Sequence, residues 1–176
     1  MIKIIFESHS TSLDNEDGLS SGHFDVDLSE LGERQAWELG QRYKDNKPDV
    51  VFCSDLKRSF HTARLAFEDS VAIIQDARLR EVDYGDLTKQ PSSEVEPAKK
   101  MYIDQPFPNG QSYTQTTEKM KEFLEELKES HEGKTVLIIG HRATQYALEN
   151  LINKIDLRQA VTAPWAWRPG WTYFLN

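Results

Sequence analysis

The chain has 176 residues, 38% of them hydrophobic and 28% charged, and a net charge of -8. That length suits one domain with a core of its own, and the acidity argues against a nucleic-acid backbone or an anionic membrane as partner. The lone cysteine, Cys53, excludes an internal disulfide; no apolar run approaches the ~20 residues of a membrane span and the N-terminus lacks a signal-peptide pattern, so a cytoplasmic protein is expected.

The first element is an apolar run, Ile2 to Phe6, which predicts a buried strand interrupted only by Lys3. The polar stretch Glu7-Ser8-His9-Ser10-Thr11-Ser12 follows it directly, and Gly18, Ser20, Ser21 and Gly22 then read as a flexible connection. Ser29, with Glu30 and Glu33 in the next turn, starts a helix whose apolar stripe is Leu31, Ala36, Leu39 and Tyr43, and Lys47-Pro48 ends it. Asp49 to Cys53 predicts a second buried strand, with Cys53 as a small core residue. A helix from about Leu56 to Phe67 is expected next, then a third strand over Val71–Ile74.

The stretch 86–110 holds Pro91, Pro97, Pro106 and Pro108 with little periodicity, which predicts a lid or substrate loop. Met120, Phe123, Leu124 and Leu127 carry helical spacing. Thr135 to Ile139 is the clearest strand, followed by Gly140-His141 and a helix to about Ile152. Trp171 to Leu175 closes the chain as a last strand. This alternation predicts an α/β fold, one domain over 1–176, with a mostly parallel central sheet flanked by helices on both faces.

Reactive side chains gather at the predicted strand ends, where open α/β sheets bind ligands. The first end gives His9, which can serve as nucleophile, base or metal ligand. The second gives Ser54-Asp55-Leu56-Lys57-Arg58-Ser59, with Arg58 in the first turn of a helix, and the fourth gives Gly140-His141-Arg142. Cationic side chains beside the backbone N–H groups of a helix start make an anion site. Glu81 or Asp83, from Leu79-Arg80-Glu81-Val82-Asp83-Tyr84-Gly85, would supply a carboxyl group for proton transfer. A metal site finds no ligand pair at the spacing of His-Glu-x-x-His, a serine-nucleophile elbow finds no support around Gly110-Gln111-Ser112, and no phosphate-cradling glycine loop precedes a Lys-Ser/Thr pair.

Ser8-His9-Ser10-Thr11-Ser12-Leu13-Asp14-Asn15 resembles the Arg-His-Gly-x-Thr-x-x-Asn opening of the histidine phosphatase superfamily, the phosphoglycerate mutase-like fold. Gly22, Asp25, Leu28, Ser29, Leu31, Gly32, Gln35 and Ala36 follow in register. Ser54 to Ser59 with Thr62-Ala63 resembles the family's Ser-x-Leu-x-Arg stretch, Leu79 to Gly85 its Leu-x-Glu-x-x-x-Gly, Gly110-Gln111-Ser112 its Gly-Glu-Ser, and Gly140-His141 its second histidine pair. The resemblance implies a metal- and cofactor-independent phosphatase acting on small-molecule phosphate monoesters. In it His9 would form a phosphohistidine, Glu81 would be the acid, and Arg58 and His141 would hold the phosphoryl oxygens. Ser8, Asn15 and Arg142 join Arg58 as candidate substrate-binding residues. The one protein partner expected is a second copy of the chain, in a homodimer.

The departures are specific. Ser8 stands where the family has arginine, with Glu7 beside it; Leu19 replaces a further arginine, and Gln111 a glutamate. Losing one arginine clamp is worth ~2–4 kcal/mol of transition-state stabilisation. Arg142, Arg80 and Arg168 are the candidate substitutes, and Glu7 either borders the site or turns away into the sheet. The rival reading is a phosphate-binding module with weak or no catalysis. A mutase ranks last, because mutases of this fold are longer in the lid region. The cluster Trp165, Trp167, Arg168 and Trp171 reads first as turn and core packing, and second as a wall for the leaving group with Arg168 reaching the ligand. His23, His61 and His131 read as partly exposed loop or helix histidines, with His61, one turn after Arg58, the one to watch.

Overall fold

The computed structural model describes residues 1–68 and 70–176. Five strands form one sheet in the order β3-β2-β4-β1-β5: β1 (Ile2–Ser8), β2 (Val50–Cys53), β3 (Ile73–Gln75), β4 (Thr135–Gly140) and β5 (Trp171–Leu175). All neighbours are parallel except β5, which runs antiparallel to β1 along the edge. The helices are α1 (Leu13–Glu16), α2 (Glu30–Arg42), α3 (Lys57–Phe67), α4 (Ser92–Ala98), α5 (Tyr113–Ser130), α6 (Arg142–Leu151) and α7 (Leu157–Thr162). This is the α/β architecture expected, with a mostly parallel sheet between helices.

Side-chain alternation divides the core between the two sheet faces. Ile2, Ile4, Phe6, Phe52, Val136 and Ile138 point to one face and pack on Met120, Phe123 and Leu127 of α5 and Leu148 of α6. Val51, Cys53, Leu137 and Ile139 point to the other, against Leu39 of α2 and Ala63 and Phe67 of α3. Cys53 is a buried core residue with a free thiol, and burial pushes that thiol up to about 12. Among the described residues no helix is long and apolar enough to cross a membrane.

Three local expectations change. The third strand is Ile73–Gln75, two residues later at its start than Val71, because this edge strand is largely exposed and its apolar pattern is weak. The glycine–serine connection is tied down: Ser20 N–H donates to Gln90 O, Lys89 N–H to Ser20 O and Ser92 N–H to Gly18 O. The stretch 86–110 contains α4, capped by Pro91, and buries Val95, Ile103 and Phe107 against Tyr113, Tyr146 and Val161. It is packed down as a lobe, and its Ser92 and Glu96 belong to the lining of the cavity described below.

Parallel pairing fixes where the chemistry lies. Ser8 is level with Gly140, and Cys53 with Ile139, so the residues that follow, His9, Ser54 and His141, leave the sheet together at one edge.

Candidate active site

A cavity of about 830 Å³ opens over that edge, lined by Ser8, His9, Asn15, Arg58, Glu81, His141 and Arg142 along with residues of α2, the 18–22 segment and the tryptophan cluster. All seven candidate site residues therefore come together. Asp83 does not border it; its carboxylate accepts from Gly85 N–H and lies 3.7 Å from His23 Nδ1. Neither Arg80 nor Arg168 borders it: Arg80 is paired with Asp55, and Arg168 lies over the Trp171 ring.

His9 is anchored through its backbone N–H to Gly140 O at 2.9 Å, and its Nδ1 sits 2.7 Å from Ser10 O. A carbonyl only accepts, so Nδ1 carries the proton and Nε2 keeps its lone pair. Burial above all, then the positive charges of Arg58 and Arg142, lower the His9 pKa to about 3 against the opposing hydrogen bond to Ser10. The ring is neutral at physiological pH. His141 stands beside it, ring centroids 5.0 Å apart. Its Nε2 is 2.7 Å from Ser54 Oγ, while its buried Nδ1 has no hydrogen-bond partner among the described residues. Burial, Arg58 and His9 together lower the His141 pKa well below the ordinary value.

Arg58 extends from the first turn of α3 and is 2% exposed. Its guanidinium donates to Gly22 O at 2.7 Å and Phe24 O at 3.1 Å, and among the described residues no carboxylate pairs with it. A buried guanidinium held only by carbonyls is an expensive arrangement unless an anion completes it. Glu81 presents Oε1 to Val82 N–H at 2.9 Å and Ala143 N–H at 3.2 Å, the latter in the first turn of α6; Oε2 has no hydrogen-bond partner among the described residues. Asn15 closes the capping box of α1 with Ser12, its Oδ1 taking the Ser12 N–H.

The structure also places residues that sequence reasoning overlooked. Arg42, Glu38, Leu39 and Gln35 of α2 line the cavity; their spacing of three, four and seven residues marks one helix face but does not say that this face meets the strand ends. Gln35 Oε1 accepts from both the N–H and the hydroxyl of Thr11, and Thr62 Oγ1 accepts Ser10 N–H, fixing the loop after His9. Glu7 does not turn away: it is 1% exposed, borders the cavity, takes a hydrogen bond from Tyr43 Oη at 2.8 Å and forms an ion pair with Arg42 at 3.1 Å. Arg142 donates to Glu96 of α4 at 2.7 Å, and buried Lys99 donates to the same Glu96 oxygen at 2.7 Å. Trp165 and Trp167 border the cavity, whereas Trp171 is core, edge-on to Phe6.

His23 and His61 stay outside it; His23 Nε2 meets Glu81 O and His61 Nδ1 meets Asp27. His131 ends α5 far along the chain from these residues. Among the described residues no group of three or more His, Cys, Asp or Glu is arranged to hold a metal ion.

Residues 4–166 match the model of the histidine phosphatase superfamily, branch 1. Phosphoserine phosphatase 1 of Hydrogenobacter thermophilus is 30% identical over 166 residues, covering 89% of this chain and 79% of that protein. The Bacillus stearothermophilus YhfR structure superposes with a TM-score of 0.83 at 23% identity, over 95% of this chain and 87% of its own. The mycobacterial glucosyl-3-phosphoglycerate phosphatase, in its complex with VO3, gives a TM-score of 0.80 at 22% identity, over 92% and 87%.

Proposed function

The chain belongs to the histidine phosphatase superfamily, and on that premise we propose that it hydrolyses small phosphate monoesters through a phosphohistidine at His9. The observation that carries this reading is the pairing of a neutral His9, its Nε2 unprotonated, with the unpaired, buried Arg58 across one cavity. An attack on phosphorus needs a lone pair on one side and positive charge waiting for the equatorial oxygens on the other.

In the proposed sequence His9 Nε2 bonds to phosphorus as the ester oxygen leaves. Glu81, through its unpartnered Oε2, gives that oxygen its proton. The same carboxylate then takes a proton from the water that attacks the phosphohistidine, releasing phosphate and restoring His9. Arg58, His141 and Arg142 hold the phosphoryl oxygens, with Ser8 and Asn15 at the margin. A cytoplasmic address is part of the same reading, supported by the single, buried, unpaired Cys53.

The test is turnover of a broad phosphate-ester panel, with and without EDTA, by wild type and His9→Ala. Turnover by wild type alone, unaffected by EDTA, is the expected result; equal rates for the two proteins would sink the proposal.

A second reading, a phosphate-binding module without catalysis, draws on one observation. Ser8 brings no cation, and both other cavity arginines are held by carboxylates, Arg42 by Glu7 and Arg142 by Glu96. Acid-sensitive phosphoryl adduct on His9, seen by mass spectrometry after rapid quenching, excludes it.

A further inference from the structure

We propose that the leaving group of the substrate is a planar aromatic one that bears no second anion, stacked on Trp167 and screened by Glu38; this rests on the phosphatase reading and names its substrate class. A cavity of about 830 Å³ lies in the range of sites that enclose whole drug-sized ligands, so most of it belongs to the group attached to the phosphate.

The charges of the lining settle what that group carries. Three arginines border the cavity, Arg42, Arg58 and Arg142, against four glutamates, Glu7, Glu38, Glu81 and Glu96. Arg42 is paired with Glu7 at 3.1 Å and Arg142 with Glu96 at 2.7 Å. Arg58 alone lacks a carboxylate, and one phosphate satisfies it. A carboxylate or second phosphate on the leaving group would then find only committed arginines. It would also face Glu38, which pairs with no cation among the described residues. Glu38 is exposed, so solvent screens part of its repulsion, and the committed arginines carry most of that discrimination.

The aromatic surface settles its shape. Trp165 is already sandwiched, with Arg142 4.6 Å over its ring and Trp171 stacked at 6.0 Å. Among the described residues Trp167 has one cation–π neighbour, Arg42 at 5.9 Å, and no aromatic one, and it remains 56% exposed. An indole left bare at a cavity wall, with one guanidinium beside its ring, is a stacking platform for a flat ring.

Four phosphates with leaving groups of similar basicity test this: benzyl, cyclohexylmethyl, 4-carboxybenzyl and 4-(aminomethyl)benzyl phosphate, with the four matching phosphonates as non-hydrolysable ligands. Benzyl and 4-(aminomethyl)benzyl phosphate are expected to exceed the cyclohexylmethyl and 4-carboxybenzyl esters at least tenfold in kcat/KM, and the phosphonates to bind in the same order. Trp167→Ala should bring the benzyl to cyclohexylmethyl ratio close to one, whereas Trp167→Phe should retain it. Glu38→Gln should narrow the gap between benzyl and 4-carboxybenzyl severalfold. Equal phosphonate affinities, or 4-carboxybenzyl as the best substrate, overturn the inference. No turnover combined with the expected order of phosphonate affinities would refute hydrolysis while upholding the subsite.

Discussion

Ser54 Oγ lies 2.7 Å from His141 Nε2, and the opposite nitrogen of that ring, buried, has no hydrogen-bond partner among the described residues. Because the imidazole is neutral, a proton on one nitrogen excludes one on the other. The serine hydroxyl can donate to Nε2 or accept from it, and in either arrangement it fixes which nitrogen carries the single proton, and so what the ring offers a phosphoryl oxygen. Ser54→Ala removes the group that sets this tautomer. About a tenfold loss in kcat/KM is expected, the equivalent of ~1.4 kcal/mol, with Ser54→Thr recovering most of it. Unchanged kinetics in Ser54→Ala would show that the tautomer is set elsewhere.

Arg58 makes anion binding and folding stability one measurement. A ligand that binds only the native state stabilises it by about 2.7 kcal/mol at a hundredfold excess over its Kd, a Tm rise of roughly 5–10 °C for a chain this size. Inorganic phosphate or vanadate should produce such a rise in wild type. In Arg58→Met the baseline shifts, since Gly22 O and Phe24 O lose their donor, but the ligand-dependent increment should vanish. An equal increment in both proteins would place the anion away from Arg58.

How far the sequence carried this site depended on whether a residue's position follows from strand pairing or from helix packing. His9, Ser54 and His141 each come directly after a short apolar run, and parallel register leaves no choice about which edge of the sheet they share. Arg42 and Glu38 sit well along α2, and only the way that helix lies against the strand ends brings them to the cavity; no local pattern encodes that crossing. The same holds for Lys89, whose ammonium reaches buried Asp14 at 2.6 Å across 75 positions of sequence. Prolines obscured α4, because Pro91 and Pro97 read as breakers although one caps the helix and the other falls in its last turn. Val95, Ile103 and Phe107 are too widely spaced to announce the lobe they anchor.

Glu96 restrains Arg142, and release of that restraint should be visible in KM. Arg142 stands at the first position of α6, next to His141, but its guanidinium is engaged by a carboxylate of the neighbouring lobe. Glu96→Gln weakens the ion pair while keeping an oxygen for Lys99. An exposed pair of this kind is worth ~0–1 kcal/mol, so KM should fall about two- to fivefold with little change in kcat. Arg142→Ala, which deletes a charge-assisted contact worth ~1.5–3 kcal/mol, should raise KM by about 10- to 150-fold. Tm of Glu96→Gln should also drop, because buried Lys99 loses its counter-charge. If Arg142→Ala leaves KM where it was, the charge missing at Ser8 is supplied by another group.

The two site histidines should resist protonation long after an ordinary imidazole has taken up its proton. In the folded chain His9 titrates at about 3 and His141 well below the usual range; in the unfolded chain both revert to about 6.5. Below that value the unfolded state binds protons that the native state refuses. The contribution of these rings to stability is therefore complete above pH ~6.5 and lost as pH falls toward the folded value, by up to ~1.4 kcal/mol per pH unit for each ring. Urea midpoints should decline between pH 7 and 5 by more in wild type than in His9→Asn. Imidazole carbon–proton NMR signals of His9 and His141 should hold their neutral positions down to pH 5 in the free protein. Bound phosphate, whose negative charge favours the imidazolium, should move their midpoints upward. A His9 signal that titrates near 6.5 in the free protein would mean that the ring is solvated, and that neither burial nor Arg58 sets its nucleophilic form.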